Sequence, residues 1–331
     1  SDWVGAFNGD VCVGSRKWNQ EECQGGICDV PVMGDDGNSW TAGYMQNNQI
    51  PTFKIYDSSE DQYYPALPSE QVPWSNFNLP LISSIAATNT YTMQIPLHYE
   101  YNLVSFYVLP EQANIENVVE PIQDNLISIV GESSSAQYLP EEYNGWVGTI
   151  NEFDTYSGYW LRMTSDIDTL TVTGYSLYPE KIYSLNDGLN LVSFPSPGIV
   201  GISDAIDDQI ENLIPYVIGE SIATAQVEGE WVGSLKEFEG GHGYWIKTNE
   251  ALDFKYNLDN LSRKEKNHIY NNTLVDYKFN RSSAQAFYFI DLSTALNFPA
   301  NIGDYVLAYI DNVLVGYRQW NGGYIDIPVM G

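Results

Sequence analysis

The chain has 331 residues, 44% hydrophobic and 14% aromatic, and Asp and Glu outnumber Lys and Arg by 43 to 14, a formal net charge of −29. This length exceeds one hydrophobic core and this aromatic content excludes a disordered chain, so several folded units of roughly 70–100 residues each are expected. The acidic balance opposes phosphate backbones and anionic bilayers, and no apolar run of about 18 residues occurs, so neither nucleic-acid binding nor membrane insertion is expected.

Residues 1–93 alternate apolar and polar positions between turn signals: WVGAF, Asn8-Gly9, VCVG, then SWTAGYM and TFKIYD. Asn-Gly between two alternating runs predicts a hairpin, and the whole stretch reads as a β-sandwich module lacking its first strands. The first residues already read as strand with no signal peptide before them, so a mature or excised piece of a longer polypeptide is expected.

Residues 94–176 and 177–258 are tandem copies. YNLVSF (101–106) recurs as LNLVSF (189–194), VGES (130–133) as IGES (218–221), WVGTINEF (146–153) as WVGSLKEF (231–238), and SGYWLR (157–162) as HGYWIK (242–247). Each copy reads as a small β-rich module with one short helix. In the second, Ile202, Ile206 and Ile210 set an apolar stripe at helical spacing, with Ser203 near its start. Residues 259–274, with the basic run Arg263-Lys264-Glu265-Lys266, read as a solvated linker.

Residues 275–331 start a second copy of the first module, through VDYKFN, QAFYFIDL, YVLAYID and VLVGYRQW. Asp304 restates Asp2 at an offset of 302, and Gly331 restates Gly34 at an offset of 297, which is 302 less a five-residue insertion (QEECQ, 20–24). The fold class expected is mainly β, in tandem sandwich-like modules.

Candidate chemistry is sparse. Trp146/Trp231, Phe153/Phe238 and the Gly-Tyr-Trp triplets 158–160 and 243–245 could stack on sugars, but as core aromatics and turn glycines they need no ligand. Glu132 and Glu220 offer a metal ligand or catalytic acid; a carboxylate accepting backbone N–H groups is the favoured reading. Asp35, Asp36 and Asn38 around Gly37 are weak calcium candidates in what is by default a polar turn. Asn260, Asn271 and Asn280 open N-x-S/T sequons. The three His are not shared between copies: Asn186 stands opposite His98, Ser157 opposite His242, and His268 lies in the linker. No nucleophile, zinc or phosphate-loop motif occurs, so no catalytic residue is assigned and no enzyme is expected.

Cys12 and Cys28 align with Leu314 and Ile325 of the terminal copy and are expected to face a core. A Cys23–Cys28 bridge closing a short loop is the first choice of pairing, ahead of Cys12–Cys28 and Cys12–Cys23.

Through WVGAFNGDVCVGSRKWN, DVPVMGDDG and PTFKIYD, residues 1–93 and 275–331 resemble a β-module of very large, repetitive secreted or surface proteins of aquatic microbes. The paired NLVSF…GES…WVGSL…GYW units resemble another module common in such proteins. The resemblance implies an extracellular or cell- or virion-surface location and a structural or adhesive role, as in a filament, appendage or virion fibre. It transfers no active-site residue and no cofactor beyond the weak calcium candidates. The expected partner is the protein itself, through strand complementation or a contiguous longer chain, with glycans second. A carbohydrate-binding module array of a secreted enzyme is the rival reading.

Overall fold

The computed structural model describes residues 2–19, 23, 27–88, 90–139, 145–165, 168–176, 181–262, 277–294 and 300–331. Most of the expected linker 259–274, with the basic run, His268 and Asn271, lies outside the described residues. The protein is mainly β, with 49% strand and 8% helix in several separate small sheets, as the alternating patterns require. Chain contacts divide it into two units: Ser1–Tyr91 with Pro110–Gln112 and Thr173–Leu177, and the remainder. The terminal module and nearly all of both tandem copies belong to the second unit, the exceptions being the stretches 110–112 and 173–177.

In the first unit Trp3–Asn8 and Val11–Lys17 form the hairpin, with Gly9 at φ +56 in the turn. They continue through Thr52–Asp57, Gln62–Pro68 and Ile85–Ala87 into one five-stranded sheet. Val4, Ala6, Val13, Met45, Phe53 and Ala66 form its core. Two expectations fail here. SWTAGYM is no strand: Ser39–Thr41 is a 3-10 turn, because the Asp35 and Asp36 carboxylates accept from Gly37 N, Asn38 N and the Thr41 hydroxyl and fold the chain back. Cys12 faces solvent rather than a core. A bulge between Ala6 and Phe7 leaves Val13 as the extra residue, and Val13, 1% exposed, takes the inward place.

The terminal module repeats this hairpin in detail. Tyr305–Ile310 pairs with Val313–Gln319, again with a bulge, between Ala308 and Tyr309, and Asp311 takes φ +52 where Gly9 takes +56. Trp18 N donates to Asp2 O as Trp320 N donates to Asp304 O, both at 2.7 Å. Gly14 and Gly316 occupy one further equivalent place, where a Cβ would collide with the carbonyl oxygen of Pro31 or of Pro328. In the terminal module Tyr324–Met330 pairs along its length with Gln285–Asp291, whereas the equivalent residues 27–33 form no strand. VDYKFN contributes no strand within its described residues 277–280.

The two tandem copies share strand order and register. The first has a five-stranded sheet of Gly145–Gly148, Ser135–Leu139, Leu126–Val130, Gly158–Met163 and Glu100–Ser105. The second has Gly188–Ser193, Gly243–Thr248, Tyr216–Ile218, Ala223–Val227 and Glu230–Gly233, which is the same path read from the other edge. Trp160 lies opposite Leu103 and Val130, and Trp245 lies opposite Leu191 and Ile218, each pair of partners related by the repeat offset of 88. Each copy has its own core, one including Phe106, Ile129, Phe153 and Leu161, the other Phe194, Val217, Phe238 and Ile246. The helices are Ile115–Val119, capped by the Asn114 side chain, and Ile202–Ala205. The expected stripe ends after one turn: Ile206 is extended at φ −98, ψ 123, and the Asp207 carboxylate accepts from Gln209 N, favouring a turn over helix.

Candidate functional site

The repeated segments NLVSF and GYW are buried without a polar face, and their two faces meet different neighbours. Val104, Tyr159 and Leu161 enter the core of the first copy, while Leu103 and Trp160 meet Leu191 and Trp245 of the second. Continuous burial therefore reflects a sheet covered on both sides. The Tyr and Trp polar ends are matched between copies as well. Tyr159 OH accepts from Asp154 N and Tyr244 OH from Glu239 N, while the indole N–H of Trp146 donates to Gln123 and that of Trp231 to Glu211. Asn102 and Asn190, which the sequence reading passed over, each close the loop before them by three side-chain bonds to backbone carbonyls and one from a backbone N–H. Their identity at one offset was the available signal.

Glu132 and Glu220 reach across between the copies. Glu220 accepts from Leu103 N at 2.9 Å and Glu132 from Leu191 N at 2.8 Å, each binding the other copy at the equivalent residue. Ser105 N to Gly241 O and Ser193 N to Tyr156 O repeat the reciprocity at 3.0 and 2.9 Å. Contacts exchanged in this way define a local twofold axis, so the tandem copies pack as an internal dimer. The axis runs near Gly158 and Gly243, since a Cβ on Gly243 would lie 3.1 Å from the Gly158 Cα. The two carboxylates differ in their outer partners. Glu220 also faces His98 Nε2 at 2.5 Å and Arg281 Nη1 at 2.6 Å. Burial pushes its carboxyl up, but the His98 hydrogen bond and charge, the Arg281 charge and the Leu103 N–H outweigh that and hold it below its usual value. His98 Nδ1 sits 2.8 Å from Tyr99 O, which assigns the proton on that nitrogen.

A second carboxylate centre seats the terminal module on the second copy. Asp326, 0% exposed, accepts from Ala223 N, Ser234 N and the Ser234 hydroxyl, and pairs with Arg318 at 3.0 Å. Arg318 also donates to Ser221 O, and the Gln285 amide bridges Gly219 O and Ser221 N. The same pair exists in the first module as Arg16 and Asp29, 2.6 Å apart, with Arg16 Nε on Asp29 O as Arg318 Nε is on Asp326 O. There the Asp29 side chain is 85% exposed. Sequence reading missed both pairs, although Arg16 and Arg318 align at the offset of 302 and Asp29 and Asp326 at 297.

Lys181 is 5% exposed, lies 3.5 Å over the Tyr156 ring, and donates to the Thr155 carbonyl and hydroxyl. Burial depresses its amine to about 7, against a smaller upward pull from Asp154. Between about 7 and the unfolded value near 10.4 the unfolded chain binds more protons, so stability rises with pH across that window. The penalty is complete below it and absent above. From pH 7 to pH 9 the gain expected from this group is roughly 2 kcal/mol. Urea unfolding of the native chain and of Lys181→Met at both pH values measures it, and a difference between the two that does not change with pH would refute the assignment.

The calcium candidates form the turn described above. Asp35 and Asp36 direct carboxylate oxygens at the turn's own donors, and the Thr41 hydrogen bond, then those of Asn38, lower the Asp36 carboxyl. Among the described residues no three His, Cys, Asp or Glu side chains converge to hold a metal ion. Cys23 and Cys28 are joined as a disulfide. Asn260 donates to Asp204, and Asn280 is exposed. Among the described residues no helix is long and apolar enough to cross a membrane. Comparison of the chain with protein-family models, curated proteins and solved structures finds no match.

Proposed function

We propose that the chain is a non-enzymatic structural or adhesive protein, a segment of an extracellular filament, appendage, surface array or virion fibre built of tandem β-modules. The observation that carries this reading is the use of the repeated residues: Trp160, Leu103 and Leu191, with Trp245, pack copy against copy, and Glu132 and Glu220 hold copy to copy. Duplication gives a stalk or fibre its recurring contacts, whereas an active site needs one constellation only. The rival reading, a carbohydrate-binding array, draws on exposed aromatics outside the repeats, chiefly Trp40 at 73% exposed.

Electron microscopy of the native material tests the proposal. Filaments or regular arrays are expected. Dispersed particles that bind glycans through Trp40, with binding lost in Trp40→Ala, would replace the proposal with its rival.

A further inference from the structure

We propose that the Arg16–Asp29 pair of one chain docks into the loops 131–135 and 147–149 of the first repeat of a second copy of the chain. The inference rests on the assembly reading above and assigns it a contact. Arg318 and Asp326 are a pin, and the loops around Ser221, Ala223 and Ser234 of the second repeat are its socket. Both halves occur a second time in the sequence, and there both are open.

The second pin is Arg16–Asp29, internally bonded like the first but solvent-facing. The second socket comprises Ser133, Ser135 and Thr149, equivalent to Ser221, Ala223 and Ser234 by the repeat offsets of 88 and 85. Thr149 keeps the hydroxyl donor of Ser234. Ala223 and Gly233 are buried beneath the terminal module, whereas Ser135 and Gly148 are exposed. The donors behave accordingly. Ala223 N and Ser234 N both point at Asp326, but Ser135 N turns to the Thr149 hydroxyl and Thr149 N to Ser135 O. The open loops are closed on themselves and border a polar depression lined by Gly131, Ser133, Thr149 and Asn151. One difference marks the rearrangement that docking requires: Ser221 is held at φ +58, and Ser133 is not in the left-handed region.

A chain carrying a free pin and a free socket at different places joins head to tail, which propagates rather than closes unless the rotation returns on itself. The partner is a second copy because, among the described residues, the group that fits such loops is the Arg–Asp pair of this module.

The test uses the 331-residue chain with Cys12→Ser. One copy carries Ser15→Cys, an exposed position beside Arg16, and the other Val147→Cys, 42% exposed beside Thr149, so that pin and socket both stay intact, and the two are mixed under mild oxidation. A disulfide-linked heterodimer is expected in large excess over that formed by Ser15→Cys with Glu250→Cys, an exposed position outside the socket. Sedimentation should show Asp29→Ala weakening self-association by roughly thirtyfold or more, as for loss of one member of an interfacial charge pair. Cross-linking no greater than the control overturns the proposal. So does closure within a single doubly substituted chain at high dilution, or preferential cross-linking to Val232→Cys, the equivalent of position 147 in the second repeat, which would mean exchange of terminal modules. Filaments without this cross-link would remove the contact and leave the assembly reading standing. The cross-link without filaments would do the reverse.

Discussion

Asp326→Ala should loosen the terminal module from the second repeat at a cost of about 3–5 kcal/mol, the range for removing one member of a buried ion pair. The carboxylate is 0% exposed and satisfies Ala223 N, Ser234 N and the Ser234 hydroxyl besides Arg318. Alanine leaves those donors in a space that water does not readily fill, and it strands the guanidinium, whose side chain is 23% exposed. Asp326→Asn keeps one acceptor oxygen and falls between. The equivalent substitution in the first module, Asp29→Ala, breaks a solvated pair and should cost the isolated chain only about 0–1 kcal/mol. Urea unfolding measures both. Limited proteolysis separates local detachment from global loss, because the expected defect frees residues 281–331 before the repeats open. A cost below about 1 kcal/mol for Asp326→Ala would mean that the seat is held by strand and side-chain packing rather than by the carboxylate.

How far the sequence carried this structure depended on how local each determinant is. The Asn8-Gly9 hairpin and the end-to-end duplication were legible because turn chemistry and identity are read along the chain, and Trp3–Asn8 and Val11–Lys17 pair as expected. The reading of Glu132 and Glu220 as carboxylates that accept backbone N–H bonds also agrees with the geometry. Their partners were not legible. Leu191 lies 59 residues from Glu132, and nothing in either segment encodes that they meet. NLVSF was legible as a repeated block, but periodicity does not say that the strand is covered on both sides or that one cover is the sister copy. The misreadings are local competitions: a bulge turned Cys12 outward, Asp35 and Asp36 drew SWTAGYM into a turn, and Asp207 ended the isoleucine stripe.

Trp160→Ala should destabilise the second unit by about 3–5 kcal/mol, whereas Trp245→Ala, at the matching place, should cost less. Trp160 is 2% exposed and sits at the centre of the inter-copy cluster with Leu103 and Leu191, while Trp245 is half-buried at its margin. An ideal twofold would make the two equal. The difference arises because each sheet's neighbours beyond the axis are not repeated: Tyr101 meets Trp160 edge-on at 6.3 Å, and position 189 in the second copy is a leucine, 45% exposed. Removing the indole opens a cavity between strands pinned on both sides by the Glu132 and Glu220 bonds, which limits collapse and keeps the cost near the upper range. The measurement is urea unfolding of both variants with glycan-array binding alongside. Loss of stability with no change in glycan binding supports a packing role. Equal costs for the two substitutions would deny the asymmetry, and glycan binding lost with stability intact would assign these tryptophans to a sugar platform instead.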